Sequence, residues 1–230
     1  MSVRAFGVAP NGKGRHNPIY YAAFSRHAVH LILLGYGRLT ASEWSEADEV
    51  TITGELTQAT RAAIESEDAP DWAVHFAVHD DPPVKADDRT GKGRPRVDII
   101  LERTERGRHP RYHFEAKRLY REGSDRDYLG DDGLGCFLSG RYAKDENEAC
   151  MLGYVQSEEE TIWAGRISDR LQGSSAMYRI CEGGSWQDYD SVLVKLQTLR
   201  NIGSYRTRHN RRGPLGAITI THLLLHFLPQ

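Results

Sequence analysis

Apolar positions along the 230-residue chain recur with two different spacings, and together they predict helices mixed with strands. Between residues 18 and 34, Tyr20, Phe24, His27, Leu31 and Leu34 fall near the spacing of one helical face, and Gly35 stands where that helix would be capped. A second helix is predicted over 53–66. Thr53 is a good N-cap, apolar Ile52 precedes it, and Leu56, Ala59 and Ala63 share a stripe. WAVHFAVH (72–79) alternates and is rich in valine and aromatic residues, the pattern of a strand. DDPPVKADDRTGKGRP (80–95) is a polar loop full of breakers. RVDIIL (96–101) and RYHFEAKRL (111–119) read as two further strands. Residues 136–150 read as a helix leading into a short strand at 152–156. EEETIWAGRISDRL (158–171) reads as a helix with acids in its first turn. The C-terminal third ends in the apolar ITITHLLLHFL (218–228). This mixture predicts an α/β (α+β) fold in a single domain over 1–230. The core would span about 50–157, with an N-terminal helix at 18–34 and a C-terminal elaboration at 158–230.

Composition narrows the class. Apolar residues make up 39% of the chain and glycines number 22, enough apolar content for a packed core and against disordered or collagen-like chains. No apolar run reaches the length of a membrane span, and the opening MSVRAFGVAPNGKGRHN lacks the apolar stretch of a secretory signal. Cys136, Cys150 and Cys181 form no CxxC pair. Together these predict a cytoplasmic protein without membrane partners. The formal net charge of −2 conceals an asymmetry. Glu43 to Asp88 carries 13 acidic residues against two basic ones, whereas Arg89 to Arg121 carries 11 Lys or Arg against four acids. Five more arginines fall between Arg200 and Arg212 with no acid among them. Basic stretches of this kind can face phosphates or simply be solvated surface.

Chemistry concentrates between Asp98 and Lys117. If the strands at 96–101 and 111–117 form an antiparallel hairpin closing around Arg106 and Gly107, facing residues have numbers that sum to 213, and Asp98 meets Glu115. Side chains repeat every two residues, so Lys117 shares the Glu115 face. Val97, Ile99 and Leu101 then join Phe114 and Ala116 on the other face, toward the core. Two carboxylates facing each other across a sheet repel. A divalent cation relieves that repulsion, and two carboxylates with the Ala116 carbonyl are the hard oxygen ligands that Mg²⁺ or Mn²⁺ prefers. Lys117 adds a point charge able to orient a water or stabilise a developing negative charge. The set suits phosphodiester hydrolysis. The plainer alternative is a solvent-facing hairpin on which Lys117, Arg118 and His113 neutralise the acids.

RVDIIL with Asp98, followed 17 positions later by FEAKRL with Glu115 and Lys117, resembles the PD-(D/E)xK nuclease superfamily of the restriction-endonuclease-like fold. The resemblance implies an αβββαβ core with a central mixed sheet flanked by helices, over roughly 50–157. It implies that Asp98, Glu115 and Ala116 hold Mg²⁺ or Mn²⁺ and that Lys117 activates or positions the water. An acid from the preceding helix often assists in this superfamily, which puts that role on Glu55, with Glu49 second. On residues alone, Glu55 is a first-turn glutamate that suits the helix dipole. Val97 stands where the motif has its proline, with Pro95 three residues before the aspartate. The implied activity is a metal-dependent endonuclease acting on nucleic acid, DNA favoured over RNA. It would be an effector of a restriction or anti-phage system, with a regulatory ATPase or sensor as partner and a homodimer as assembly. The alternative is a non-catalytic nucleic-acid-binding or assembly subunit that keeps the fold.

Elsewhere, SYRTRHNRR (204–212) sets arginines among rings in a pattern that suits a strand offering charge to a phosphate backbone. Arg206, Arg208, His209 and Arg211 are its candidates for nucleic-acid contact. Arg94 and Arg96, which lead into the Asp98 strand, and Arg118 beside Lys117 complete the set. GKGR at 12–15 is also basic, and Gln156 stands where it could border the cleft. His75/His79, His109/His113 and His222/His226 have the four-residue spacing that binds zinc on a helix, but the first two pairs fall in strands or turns and no HExxH accompanies them. His222/His226, on an apolar segment, reads as a satisfied core pair.

Overall fold

The computed structural model describes residues 18–84, 92, 94–104, 110–189 and 202–228. The basic GKGR at 12–15, His109, Arg200 and the turn at Arg106 and Gly107 lie outside them. In chain order the main elements are α1 (Pro18–Tyr36), α2 (Glu49–Ile64), β1 (Phe76–Asp80), β2 (Ile99–Arg103), β3 (Arg111–Leu119), α3 (Ser124–Leu129), α4 (Leu134–Leu138), β4 (Glu148–Val155), α5 (Glu160–Gly173), β5 (Gln187–Asp188), β6 (Ile202–His209) and β7 (Ile218–His226). The strands form one mixed seven-stranded sheet in the order β1-β2-β3-β4-β7-β6-β5. Its centre, β3-β4-β7, is parallel, and antiparallel strands extend it on both sides.

Helices cover both faces. On one, Phe24, Ile32, Ile52 and Leu56 of α1 and α2 pack with Ile99, Phe114, Ala116, Leu152 and Leu223. On the other, Tyr128, Phe137, Trp163 and Ile167 of α3, α4 and α5 pack with Ile100, Met151, Leu224 and Ile220. A sheet buried on both faces has near-continuous apolar strands rather than alternating ones. That is why β4 and β7 are hard to tell from helices in sequence.

Several boundaries differ from the sequence expectation. Helix α2 begins four residues before Thr53, because Asp48 caps it through a 2.8 Å bond from the Thr51 amide. Thr53 is buried inside the helix, its hydroxyl 3.0 Å from that of Tyr154. Gly35 does not cap α1 but lies within it, where an added Cβ would run into Thr60 of α2. The first half of 72–79 is a 3-10 turn (Asp71–His75) rather than strand, with Trp72 stacked on His27 at 4.0 Å between centroids. The helix expected over 136–150 shrinks to the five residues of α4, and Gly140 at φ +75° ends its run. Residues from Glu148 belong to β4 instead. Val97 packs with the α3–α5 layer, not with Ile99 and Leu101. Among the described residues, no helix is long and apolar enough to cross a membrane.

Candidate active site

Strands β2 and β3 pair with Ile99 opposite Phe114 and Leu101 opposite Tyr112, the register in which facing numbers sum to 213. One step further, where Asp98 would meet Glu115, the ladder stops. The Asp98 side chain turns inward and its Oδ2 accepts the Ala116 amide at 2.7 Å, replacing the bond a continuing strand would have made. Glu115 and Lys117 alternate with Phe114 and Ala116, so the charged pair is held off the α1–α2 core by the pleat. The setting is not a solvated hairpin surface: Glu115 is 5% exposed.

Glu49, the first residue of α2, reaches the same point. Lys117 Nζ donates to Glu49 Oε1 (2.8 Å), Glu115 Oε1 (3.1 Å) and the Ala116 carbonyl (2.6 Å), which uses all the donors an ammonium has. The second Glu49 oxygen accepts the Arg118 amide at 3.2 Å. Glu55 lies six residues on, about one and two-thirds helical turns, so it points elsewhere. It is half-buried and has no hydrogen bond or ion pair with Asp98, Glu115 or Lys117. Of the two helix acids, the structure brings Glu49 to the cluster and not Glu55.

The electrostatics are those of carboxylates short of positive charge. Burial, reinforced by Asp98, pushes the Glu115 carboxyl up to about 8, and Lys117 only partly offsets this. Burial also raises Asp98, against the opposing pull of the Ala116 amide and Lys117. For Lys117, burial would lower the ammonium, but Glu115 and Glu49 reverse this and leave it raised and firmly charged. Among the described residues, the buried Glu115 Oε2 has no hydrogen-bond partner. A donorless carboxylate oxygen, a second carboxylate at Asp98 and a backbone carbonyl are the hard donor set a divalent cation takes. Among the described residues, no three His, Cys, Asp or Glu side chains converge as a complete metal cage. A cation at this point would therefore draw on Asp98, Glu115 and the Ala116 carbonyl, with water making up the remainder.

Gln156, at the end of β4, supports the cluster from behind. Its Nε2 donates to the Trp44 and Ala47 carbonyls at 2.8 and 2.9 Å, and its Oε1 accepts Arg118 Nε at 2.5 Å. It thereby ties the turn before Asp48 and Glu49 to β3. A glutamine ending an apolar strand is the only signal of this in sequence.

The expected nucleic-acid residues separate. Arg96 is exposed and paired with Asp81 at 2.6 Å, beside the Asp98 segment, and Arg94 is half-buried in the same segment. Arg118 lies over the Tyr120 ring at 4.1 Å. Of the run 204–212, only residues up to His209 belong to a strand, β6, and that strand is not one exposed face. Arg208 is exposed, whereas Arg206 is half-buried over Tyr189 at 3.8 Å. His209 is buried between the Tyr178 carbonyl and Thr207, and Arg211 is buried on the Gly216 and Ala143 carbonyls. These two hold the fold together and offer nothing to a phosphate. In register, Arg208 lies level with Thr219 and Glu148, three strands from β3 and about 14 Å away. His222, of the apolar histidine pair, lies in β7 with both ring nitrogens bonded, to Tyr128 and Thr207. No family model, characterised protein or solved structure matches the chain.

Proposed function

We propose that the chain is a metal-dependent nuclease of the PD-(D/E)xK type, hydrolysing phosphodiester bonds in nucleic acid. The observation that carries this reading is the junction at the end of β3. There, over residues 115–117, a buried glutamate oxygen without a donor among the described residues, an aspartate from the β2 side bonded to the next amide, and a lysine held by three oxygens come together. The order α2-β1-β2-β3-α3/α4-β4 supports it as well, since it follows the αβββαβ arrangement of the superfamily. Asp98, Glu115 and the Ala116 carbonyl would hold Mg²⁺ or Mn²⁺, which would supply a Lewis acid for the phosphate and lower the pKa of a bound water. Lys117, kept charged by its carboxylates, would stabilise the developing negative charge through its positive charge, or orient the attacking water once a cation on Glu115 frees one of its donors. Glu49 acts through Lys117, fixing where the ammonium stands. The action as a defence-system effector, the ATPase or sensor partner and the homodimer follow from the resemblance.

The test is incubation of plasmid DNA, single-stranded DNA and RNA with the protein in EDTA, Mg²⁺ or Mn²⁺. Lys117→Ala and Asp98→Asn variants run alongside. Metal-dependent loss of one substrate, abolished by both substitutions, is the expected result. Cleavage surviving both would refute the assignment. Binding of nucleic acid without cleavage by folded wild type would favour the non-catalytic subunit.

A further inference from the structure

Beyond the cluster, in the direction the chain takes after β3, a basin of about 850 Å³ opens between α3 and α5. Tyr120 forms its near wall, only three residues and at most about 10 Å along the chain from Lys117. Arg121, Arg126, Arg166 and Arg170 line it. Resting on the nuclease reading, we propose that this basin holds the phosphates of a single strand of nucleic acid next to the bond being cut.

The arginines are not equally spent. Arg166 is bonded through its terminal nitrogens to Glu158, and Arg121 is bonded to the Tyr120 hydroxyl, Asp127 and the Glu122 carbonyl. Arg170 gives its Nε to the buried Asp125, which fixes the guanidinium, and among the described residues its terminal nitrogens make no hydrogen bond. Arg126 is exposed and pairs with no acid among the described residues. Four carboxylates, Glu122, Asp125, Glu158 and Asp169, share the lining, so the basin has no net formal charge. It exerts little pull at a distance and holds a phosphate by oriented short-range hydrogen bonds. Tyr120 is 40% exposed, with the Arg118 guanidinium 4.1 Å and the Arg121 guanidinium 5.3 Å from its ring centre, so an unpaired base would stack there in place of one of them. A duplex, whose bases are already stacked, cannot use that ring. Chemistry of this kind therefore selects a single strand.

The test is fluorescence anisotropy with a labelled single-stranded oligodeoxynucleotide of about 12 nucleotides. It is run in EDTA, where binding does not depend on turnover, with the duplex of the same sequence as comparison. Arg126→Glu, at an exposed position that leaves folding intact, is expected to raise Kd roughly fivefold or more and to flatten the salt dependence by about one ion. Arg170→Lys keeps the pair with Asp125 but loses the fork, and is expected to weaken binding in the same direction. The single strand is expected to bind more tightly than the duplex. An Arg126→Glu protein binding within about twofold of wild type would overturn the basin, most clearly if Arg208→Glu weakened binding instead. Equal or tighter duplex binding would overturn the single-strand assignment. Wild type that binds neither strand would refute the nucleic-acid reading itself, whereas intact cleavage with an indifferent Arg126→Glu would refute the basin alone.

Discussion

Glu115→Gln is predicted to make the protein more stable at alkaline pH and no more stable at acid pH. In the fold, burial and Asp98 raise this carboxyl from its ordinary 4.5 to about 8, so the protonated form is the one the folded state prefers. The contribution of Glu115 to stability is therefore complete below about pH 4.5 and is lost as pH rises through about 8. Each pKa unit is worth about 1.4 kcal/mol, which puts the ceiling on the loss near 5 kcal/mol. Lys117 and Asp98 readjust when Glu115 ionises, so roughly 1–3 kcal/mol of it is expected to appear in the mutant comparison. Glutamine keeps an oxygen for the 3.1 Å bond from Lys117 but cannot ionise, so it escapes the alkaline penalty. The assay is urea unfolding of both proteins in EDTA at pH 5 and pH 9, with equal m-values as the check on two-state behaviour. A mutant less stable than wild type at pH 9, or a gain of the same size at both pH values, would refute the reasoning. Adding Mg²⁺ at pH 9 is expected to stabilise wild type and leave Glu115→Gln unmoved, since a ligand binding only the folded state shifts its equilibrium.

Three further outcomes are expected. Gln156→Glu replaces the donor to the Trp44 and Ala47 carbonyls by a third acceptor and should cost about 1–3 kcal/mol, read as a lower urea midpoint; an unchanged midpoint would show that the turn before α2 does not depend on it. Asp48→Ala should cost about 1 kcal/mol through loss of the α2 cap, whereas Thr53→Ala should not produce a capping defect that a new N-cap side chain at position 48 repairs. Because the Tyr178 carbonyl can only accept, His209 must be protonated at Nδ1; Thr207 then donates to His209 Nε2 and accepts from His222 Nε2, and Tyr128 donates to His222 Nδ1. Nitrogen-15 NMR at pH 8 should therefore find His209 as the Nδ1–H tautomer and His222 as Nε2–H, burial favouring the neutral ring in both; the opposite tautomer at either ring would break the chain of donors.

Part of the candidate site's geometry was readable in the residues alone. Strand alternation around a turn between 101 and 111 was enough to give the β2–β3 register and to bring Asp98 toward Glu115 with Lys117 on the same face, because pleat periodicity and hairpin closure are local properties. Helix α1 was legible through its apolar stripe and α5 through the acids of its first turn, which are also local properties. What required the tertiary structure is everything set by packing between distant segments. Glu49 rather than Glu55 reaches Lys117 because α2 is capped by Asp48 and its first residue, Glu49, lies against β3, and the first turn of a helix can be placed only when its cap and its neighbours are known. His209 and Arg211 look in sequence like their neighbour Arg208, but in space they turn into the fold, since the burial of a strand's faces depends on which elements cover them. The helix read into 136–150 stops at Leu138, before Gly140 at φ +75°, and only its last residues, from Glu148, join β4, where a strand buried on both faces loses the alternation that would mark it. The raised Glu115 carboxyl belongs to this second class as well: a glutamate's charge is a property of the chain, but its cost is set by the water that the folded protein removes.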